Sequence, residues 1–140
     1  MKTPHLPDEI RSTLENGRPA LMVTCSADGV PNVTIISQVY YVDRQHAALS
    51  FQFFSTTIRN VLETPRAFVG LSDYAGAADW ALELEFQRSE TSGPVFDAMD
   101  MQIEAIASAT GMSGIFKLRA ADIYRVISAE PFPYAARLRP

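Results

Sequence analysis

From Trp80 to Gln87 the chain alternates without a break: Trp80, Leu82, Leu84 and Phe86 are large and apolar, and Ala81, Glu83, Glu85 and Gln87 between them are small or polar. Side chains on a β-strand point to opposite faces in turn, whereas a helix would spread those four apolar groups around its circumference. The segment therefore predicts a strand with one dry face and one wet face. Such strands belong to antiparallel sheets, because parallel sheets are covered on both sides and read as continuous apolar runs.

The rest of the chain supplies partners for it. Ala20 to Ser26 is an apolar run closed by Ala27-Asp28-Gly29-Val30-Pro31, whose Asp-Gly pair suits the positive φ of a tight turn. A second strand is expected over Asn32 to Val42, rich in β-branched and aromatic residues. The polar Asp43-Arg44-Gln45-His46 then leads to a third strand over Ala47 to Phe54. On that third strand the pleat places Leu49, Phe51 and Phe53 on one face and Ser50, Gln52 and Phe54 on the other. Only the second face carries polar groups, which makes it the candidate for a ligand.

Further strands are expected over Arg66 to Leu71, Ile115 to Leu118 and Ala121 to Ala129, with a small-residue loop over Ser72 to Asp79. Three helices punctuate them. Leu6, Ile10 and Leu14 share a helical face within Pro7 to Asn16. Ile58, Val61 and Leu62 mark a helix over Ser55 to Glu63, which Thr64-Pro65 ends. Phe96, Met99, Ile103 and Ile106 mark one that starts at Ser92-Gly93-Pro94 and ends near Gly111. The sum is a mainly β protein, a six- or seven-stranded antiparallel barrel with peripheral helices. At 140 residues it is read as one domain, 1–140.

Composition removes several functions. Twelve basic and 16 acidic residues leave a net charge of −4, the wrong sign for neutralising a phosphate backbone, so no nucleic-acid partner is expected. The single cysteine, Cys25, cannot form an internal disulfide or a Cys-based zinc site within one chain, and a reducing cytoplasm is the expected location. No segment approaches a membrane span, and the first seven residues carry no apolar targeting region.

The glycines at 17, 29, 70, 76, 93, 111 and 114 fit neither the dinucleotide fingerprint nor the phosphate-binding loop. His5 and His46 have no carboxylate at helical metal spacing, and no metal is expected. Cys25 reads as a small filler at a strand end. Glu83 and Glu85 share a solvated strand face with nothing apolar beside them to raise a pKa for acid catalysis. Ser55-Thr56-Thr57-Ile58-Arg59-Asn60 is the one polar cluster at a strand-to-helix junction. Its hydroxyls, guanidinium, amide and free backbone N–H groups suit an anion. The same residues fit an ordinary N-cap with Arg59 in solvent, and on their own they favour that simpler reading.

Taken in order, Leu21-Met22-Val23-Thr24, Asp28-Gly29-Val30-Pro31-Asn32-Val33, Val39-Tyr40-Tyr41-Val42-Asp43, Ser50-Phe51-Gln52-Phe53-Phe54 and Arg59-Asn60-Val61-Leu62-Glu63-Thr64-Pro65-Arg66-Ala67 resemble the pyridoxamine 5'-phosphate oxidase-like split barrels. The later segments, Gly93-Pro94 through Gly111-Met112 to Phe116-Lys117-Leu118-Arg119 and Asp122-Ile123-Tyr124-Arg125-Val126, resemble a subgroup of that family. The resemblance implies an FMN-binding split β-barrel that works as a homodimer, with the flavin at the subunit interface. It implies ring contacts from Val33, Thr34, Ile35 and Ile36, further contacts from Ser50 and Gln52, and phosphate contacts from Ser55, Thr57, Arg59 and Asn60. Thr56 and Thr57 stand where many relatives carry basic residues, which leaves Arg59 as the cation. The implied activity is an FMN-dependent oxidoreductase of unnamed substrate. Alternatives are a non-enzymatic flavin-binding or ligand-sensing module, and a haem-handling barrel in which His46 or His5 reaches iron.

Overall fold

In a computed structural model of the chain, residues 3–15, 19–51, 55–72, 79–109, 111 and 117–131 are described. Seven strands and three helices follow in the order α1 (Ile10–Glu15), β1 (Ala20–Cys25), β2 (Pro31–Ile36), β3 (Val39–Asp43), β4 (His46–Phe51), α2 (Ser55–Glu63), β5 (Arg66–Ser72), β6 (Asp79–Glu90), α3 (Pro94–Ala109) and β7 (Ala120–Pro131). All pairings are antiparallel, in the order β2-β1-β5-β6-β7-β4-β3. The alternating segment is the middle of β6, and Trp80, Leu82 and Leu84 are buried as its pattern requires.

The strand order forces a curled sheet. β2 and β3 are at opposite edges, which in a flat seven-stranded sheet would lie roughly 29 Å apart at about 4.8 Å per strand. Only Ser37 and Gln38 join them, and the three Cα–Cα steps from Ile36 to Val39 span at most about 11 Å. The edges must therefore come together. At the crossing, Ser50 N–H donates to Gln38 O (3.2 Å), Gln38 N–H donates to Ser50 Oγ (3.2 Å), and Ser50 Oγ donates to Gln38 O (3.4 Å).

This crossing also corrects the sequence reading. The single strand expected over Asn32 to Val42 is two strands, because the chain leaves one sheet edge and joins the other at Ser37-Gln38. An unbroken β-branched and aromatic run does not reveal such a break. Elsewhere Leu118 lies outside any strand, and the start of the strand expected from Ile115 falls outside the described residues.

The barrel interior holds Ala20, Met22, Ile36, Leu49, Val69, Leu82, Leu84 and Tyr124, and is closed at one end by Leu6, Ile10 and Leu14. Phe86 meets Tyr124 edge to face at 5.4 Å. A second cluster lies outside the barrel wall, where Met99 and Ile103 of α3 pack on Ala48, Ala121 and Ile123. Gly29 takes φ 85° in the β1–β2 turn, and Gly93 takes φ 101° just before Pro94 opens α3, both conformations that side chains resist. Among the described residues no helix is long and apolar enough to cross a membrane.

Candidate functional site

Register assigns each residue to a face. Leu21 pairs with Ile35 and Gly70, and Val23 pairs with Val33 and Phe68, so these residues share the outer face of β2-β1-β5. Nothing among the described residues covers that face: Leu21 and Phe68 are each 52% exposed, Val33 61% and Ile35 63%. The apolar surface stops at β6, where Glu83 and Glu85 stand opposite Phe68 and Arg66. There Arg66 binds Glu83 at 2.8 Å, and Arg125 reaches Glu85 at 3.3 Å. At the other end of the face, a cavity of about 410 Å³ is lined by residues that include Leu21, Ile35, Gly70, Ser72, Asp79 and Trp80. A Cβ at Gly70 would meet nothing within 4 Å, so the glycine leaves that wall open.

The four β2 residues singled out in the sequence divide between the two faces. Val33 and Ile35 point outward, whereas Thr34 and Ile36 pair with Met22 and Ala20 on the interior side. Ser50 pairs with Ala121, on the face whose Ala48 and Ala121 pack against α3, and is buried with its hydroxyl engaged by the Gln38 backbone. The polar face singled out on this strand is therefore covered at Ser50, because alternation along a strand shows the pleat and not what packs over it. Gln52 falls outside the described residues, as does the Ser55 side chain.

Helix α2 is anchored by two of its own polar groups. Asn32 Nδ2 donates to Thr57 Oγ1 at 3.2 Å, and Asn60 Nδ2 donates to Thr24 Oγ1 at 3.1 Å, with Thr24, Thr57 and Asn60 all buried. The first bond holds the first turn of α2 against the start of β2, and the second ties its next turn to the end of β1. Thr56 and Arg59, three residues apart, form the exposed side, and among the described residues no ion pair includes Arg59. From Asn32 to Ile35 is three strand residues, roughly 10 Å. The start of α2 thus meets β2 at Asn32, next in the chain to Val33 but on the opposite face of the strand.

Sequence reasoning missed Gln38 and Gln102. Gln38 is fully buried, its Nε2 donates to Gln102 Oε1 on α3, and its own Oε1 has no hydrogen-bond partner among the described residues. An isolated glutamine within an apolar run gives no signal of this kind. It also missed the Asp43–His46 pair, with Oδ1 and Nδ1 2.8 Å apart. Burial alone would raise the Asp43 pKa. The hydrogen bonds from His46 and the Gln45 N–H, with the charge of His46, outweigh that and hold the carboxyl below the usual range.

On β7, burial pushes the Asp122 carboxyl up against a 2.6 Å hydrogen bond from Ser89 Oγ, and burial with the nearby Asp122 charge pushes the Tyr124 hydroxyl up. Cys25 is half-buried. Among the described residues no group of three or more His, Cys, Asp or Glu side chains is placed to hold a metal ion.

No family model matches the sequence, and no curated protein matches it. Solved structures do match in shape. An FMN-binding protein from Syntrophomonas wolfei is 15% identical with a TM-score of 0.72, covering 89% of this chain and 84% of its own. A protein provisionally assigned as a pyridoxamine 5'-phosphate oxidase from Lactobacillus delbrueckii is 12% identical with a TM-score of 0.58, covering 92% and 93%. The haem storage protein HutZ from Vibrio cholerae is 14% identical with a TM-score of 0.58, covering 90% and 94%. The chain thus has the split-barrel fold of the pyridoxamine 5'-phosphate oxidase-like proteins, as its sequence motifs imply.

Proposed function

We propose that this protein binds FMN and works as a flavin-dependent oxidoreductase, as a homodimer with the flavin between subunits. The observation that carries the reading is the bare outer face of β2, with Val33 and Ile35 more than 60% exposed just past Asn32, to which the first turn of α2 is bonded. A flat aromatic ring needs an apolar wall, and a phosphate needs N–H donors and a cation. β2 carries the wall and its start holds the first turn of α2, and a second copy closing over the face would exclude water from the ring. Thr57 and Asn60 hold α2 in place, the amides of its first turn offer donors, and exposed Arg59 supplies the charge. A bound flavin would supply the hydride or electron chemistry, and the chain would supply position and shielding.

The test is titration with FMN and with riboflavin, which has no phosphate. A hydrogen bond to a charged group contributes about 1.5 to 3 kcal/mol, so Arg59→Ala should weaken FMN roughly 10- to 100-fold and leave riboflavin nearly unchanged. Equal weakening of both, or of neither, would remove Arg59 from the site.

A second reading is haem handling, motivated by the fold shared with HutZ and by the Asp43–His46 pair, in which Nδ1 is engaged and Nε2 remains as the ring nitrogen for iron. The absorbance of the purified protein separates the two, since flavin and haem have distinct spectra. A colourless protein that takes up neither would favour a ligand-sensing module.

A further inference from the structure

We propose that the recess at the far end of the bare face is the seat of this protein's second reactant, a planar apolar compound that carries a cationic amine and no phosphate. The proposal rests on the FMN reading above and names the class of substrate that would lie beside the flavin.

The recess exists because of one residue. Along the outer face of β5 the residues run Phe68, Gly70 and Ser72, so a gap follows a large ring. Gly70 pairs with Leu21 on one side and with Ala81 on the other, and Ala81 is nearly as small. A glycine within a strand weakens it, so its presence there needs a cause. The fold supplies none: its φ lies outside the left-handed region, its pairing with β6 stays in register through the neighbours on both sides, and an added Cβ would meet nothing within 4 Å. What remains is close approach by another molecule, and the space left open, about 410 Å³, is that of a small-molecule site. Ile35 borders both this recess and the wall proposed for the flavin ring, so an occupant would be the ring's neighbour.

The lining decides the class. Leu21, Ile35 and Trp80 are apolar and suit a flat ring. Ser72 and Asp79, paired across β5 and β6, form the polar border, and among the described residues no ion pair includes Asp79. Glu130 pairs with Ala81 on the same face, and among the described residues no Lys or Arg lines the recess. Carboxylates without a cation favour an amine and repel a phosphate or a second carboxylate.

Trp80 is the only tryptophan of the chain, so in isotope-labelled protein its indole N–H gives a single NMR signal from the recess lining. Benzylamine, benzyl alcohol and benzoate share one ring and differ in charge, which makes them the probes. In the unaltered protein benzylamine should move the signal at concentrations up to about fivefold below benzyl alcohol, the size of an ion pair open to solvent, and benzoate should bind most weakly. Asp79→Asn should bring benzylamine and benzyl alcohol together. Gly70→Val should fold as stably as the unaltered protein and respond to none of the three. Equal binding of all three by the unaltered protein, a preference for benzoate, or no response to any of them overturns the proposal, and a parallel titration with FMN shows whether the FMN reading still stands. A Gly70→Val protein that still binds benzylamine overturns it as well, and one that loses self-association instead would give the space to the second copy. Failure to bind FMN overturns the reactant role together with the FMN reading. The comparison of probes needs no variant, so a folding defect in Gly70→Val does not block it.

Discussion

The barrel has two outer faces, and they are treated differently. Over β4 and β7, Ala48, Ala121 and Ile123 are small or branched residues roofed by Met99 and Ile103 of α3, and all are buried. Over β2, β1 and β5, Val33, Ile35, Leu21 and Phe68 are as apolar but have no roof among the described residues. Both faces come from strands of similar character, so the hydrophobic pattern of a strand reports that a face wants cover and not whether the same chain supplies it. Monomeric proteins seldom leave side-by-side apolar groups this exposed without a use. The uncovered face is thus where the proposed flavin and second copy would sit.

The largest expected effect separates the roofed residues from the bare ones within one subunit. Met99→Ala or Leu84→Ala, each at a fully buried site, should cost about 2 to 5 kcal/mol in urea unfolding. Ile35→Ala at a 63% exposed site should change the stability of the isolated subunit by no more than about 0.5 kcal/mol. Similar losses at Met99 and Ile35 would mean that the two faces are equally packed and that the contrast is false.

The next effect concerns the proposed dimer. A charge on the bare face would be buried without a partner when two copies close, so Ile35→Glu should weaken self-association by at least about 30-fold, the size expected of a central contact. Sedimentation or light scattering over a concentration series reads this directly. An unaltered protein that stays monomeric, or a dimer indifferent to Ile35→Glu, would leave the face to a ligand alone.

The antiparallel strands, the three helices and the apolar interior were legible in the sequence because each rests on a local period: two for Trp80 to Phe86, and three to four for Leu6, Ile10 and Leu14. What was not legible depends on contacts between distant segments. The break at Ser37-Gln38 exists because two sheet edges meet, and the face of β4 that carries Ser50 is covered because α3, some fifty residues later, packs on Ala48 and Ala121 beside it. The site residues divide in the same way. Alternation implies that Val33 and Ile35 share a face opposite Thr34 and Ile36, but only the register with β1 shows which face is outside. Likewise the inward turn of Thr57 and Asn60 follows from Asn32 and Thr24, residues of strands that lie well before α2 in the sequence.

The smallest effect tests cover at the level of single carboxyl groups, one beneath side chains and one open to solvent. Asp122 is buried and accepts a hydrogen bond from the exposed Ser89, and its folded pKa is raised above the ordinary 3.8. Above that ordinary value the unfolded chain has released a proton that the folded barrel retains, so stability falls as pH rises until the raised folded pKa is passed. Asp43, more than half exposed on the β3–β4 connection, has a folded pKa below 3.8 because His46 and the Gln45 N–H favour its charged form. In that window the unfolded chain binds the extra proton, so stability is lost as pH falls through the folded pKa. Unfolding free energies measured from pH 3 upward should therefore diverge in opposite senses. Asp122→Asn keeps an acceptor for Ser89 and removes the titration, so it should gain on the unaltered protein as pH rises above about 4. Asp43→Asn should lose on it over the lowest part of the range, more weakly because that group is solvated. Curves for Asp122→Asn and the unaltered protein that run parallel across the whole range would show that Asp122 is ionised in the folded barrel as freely as in the unfolded chain, and that its cover is incomplete.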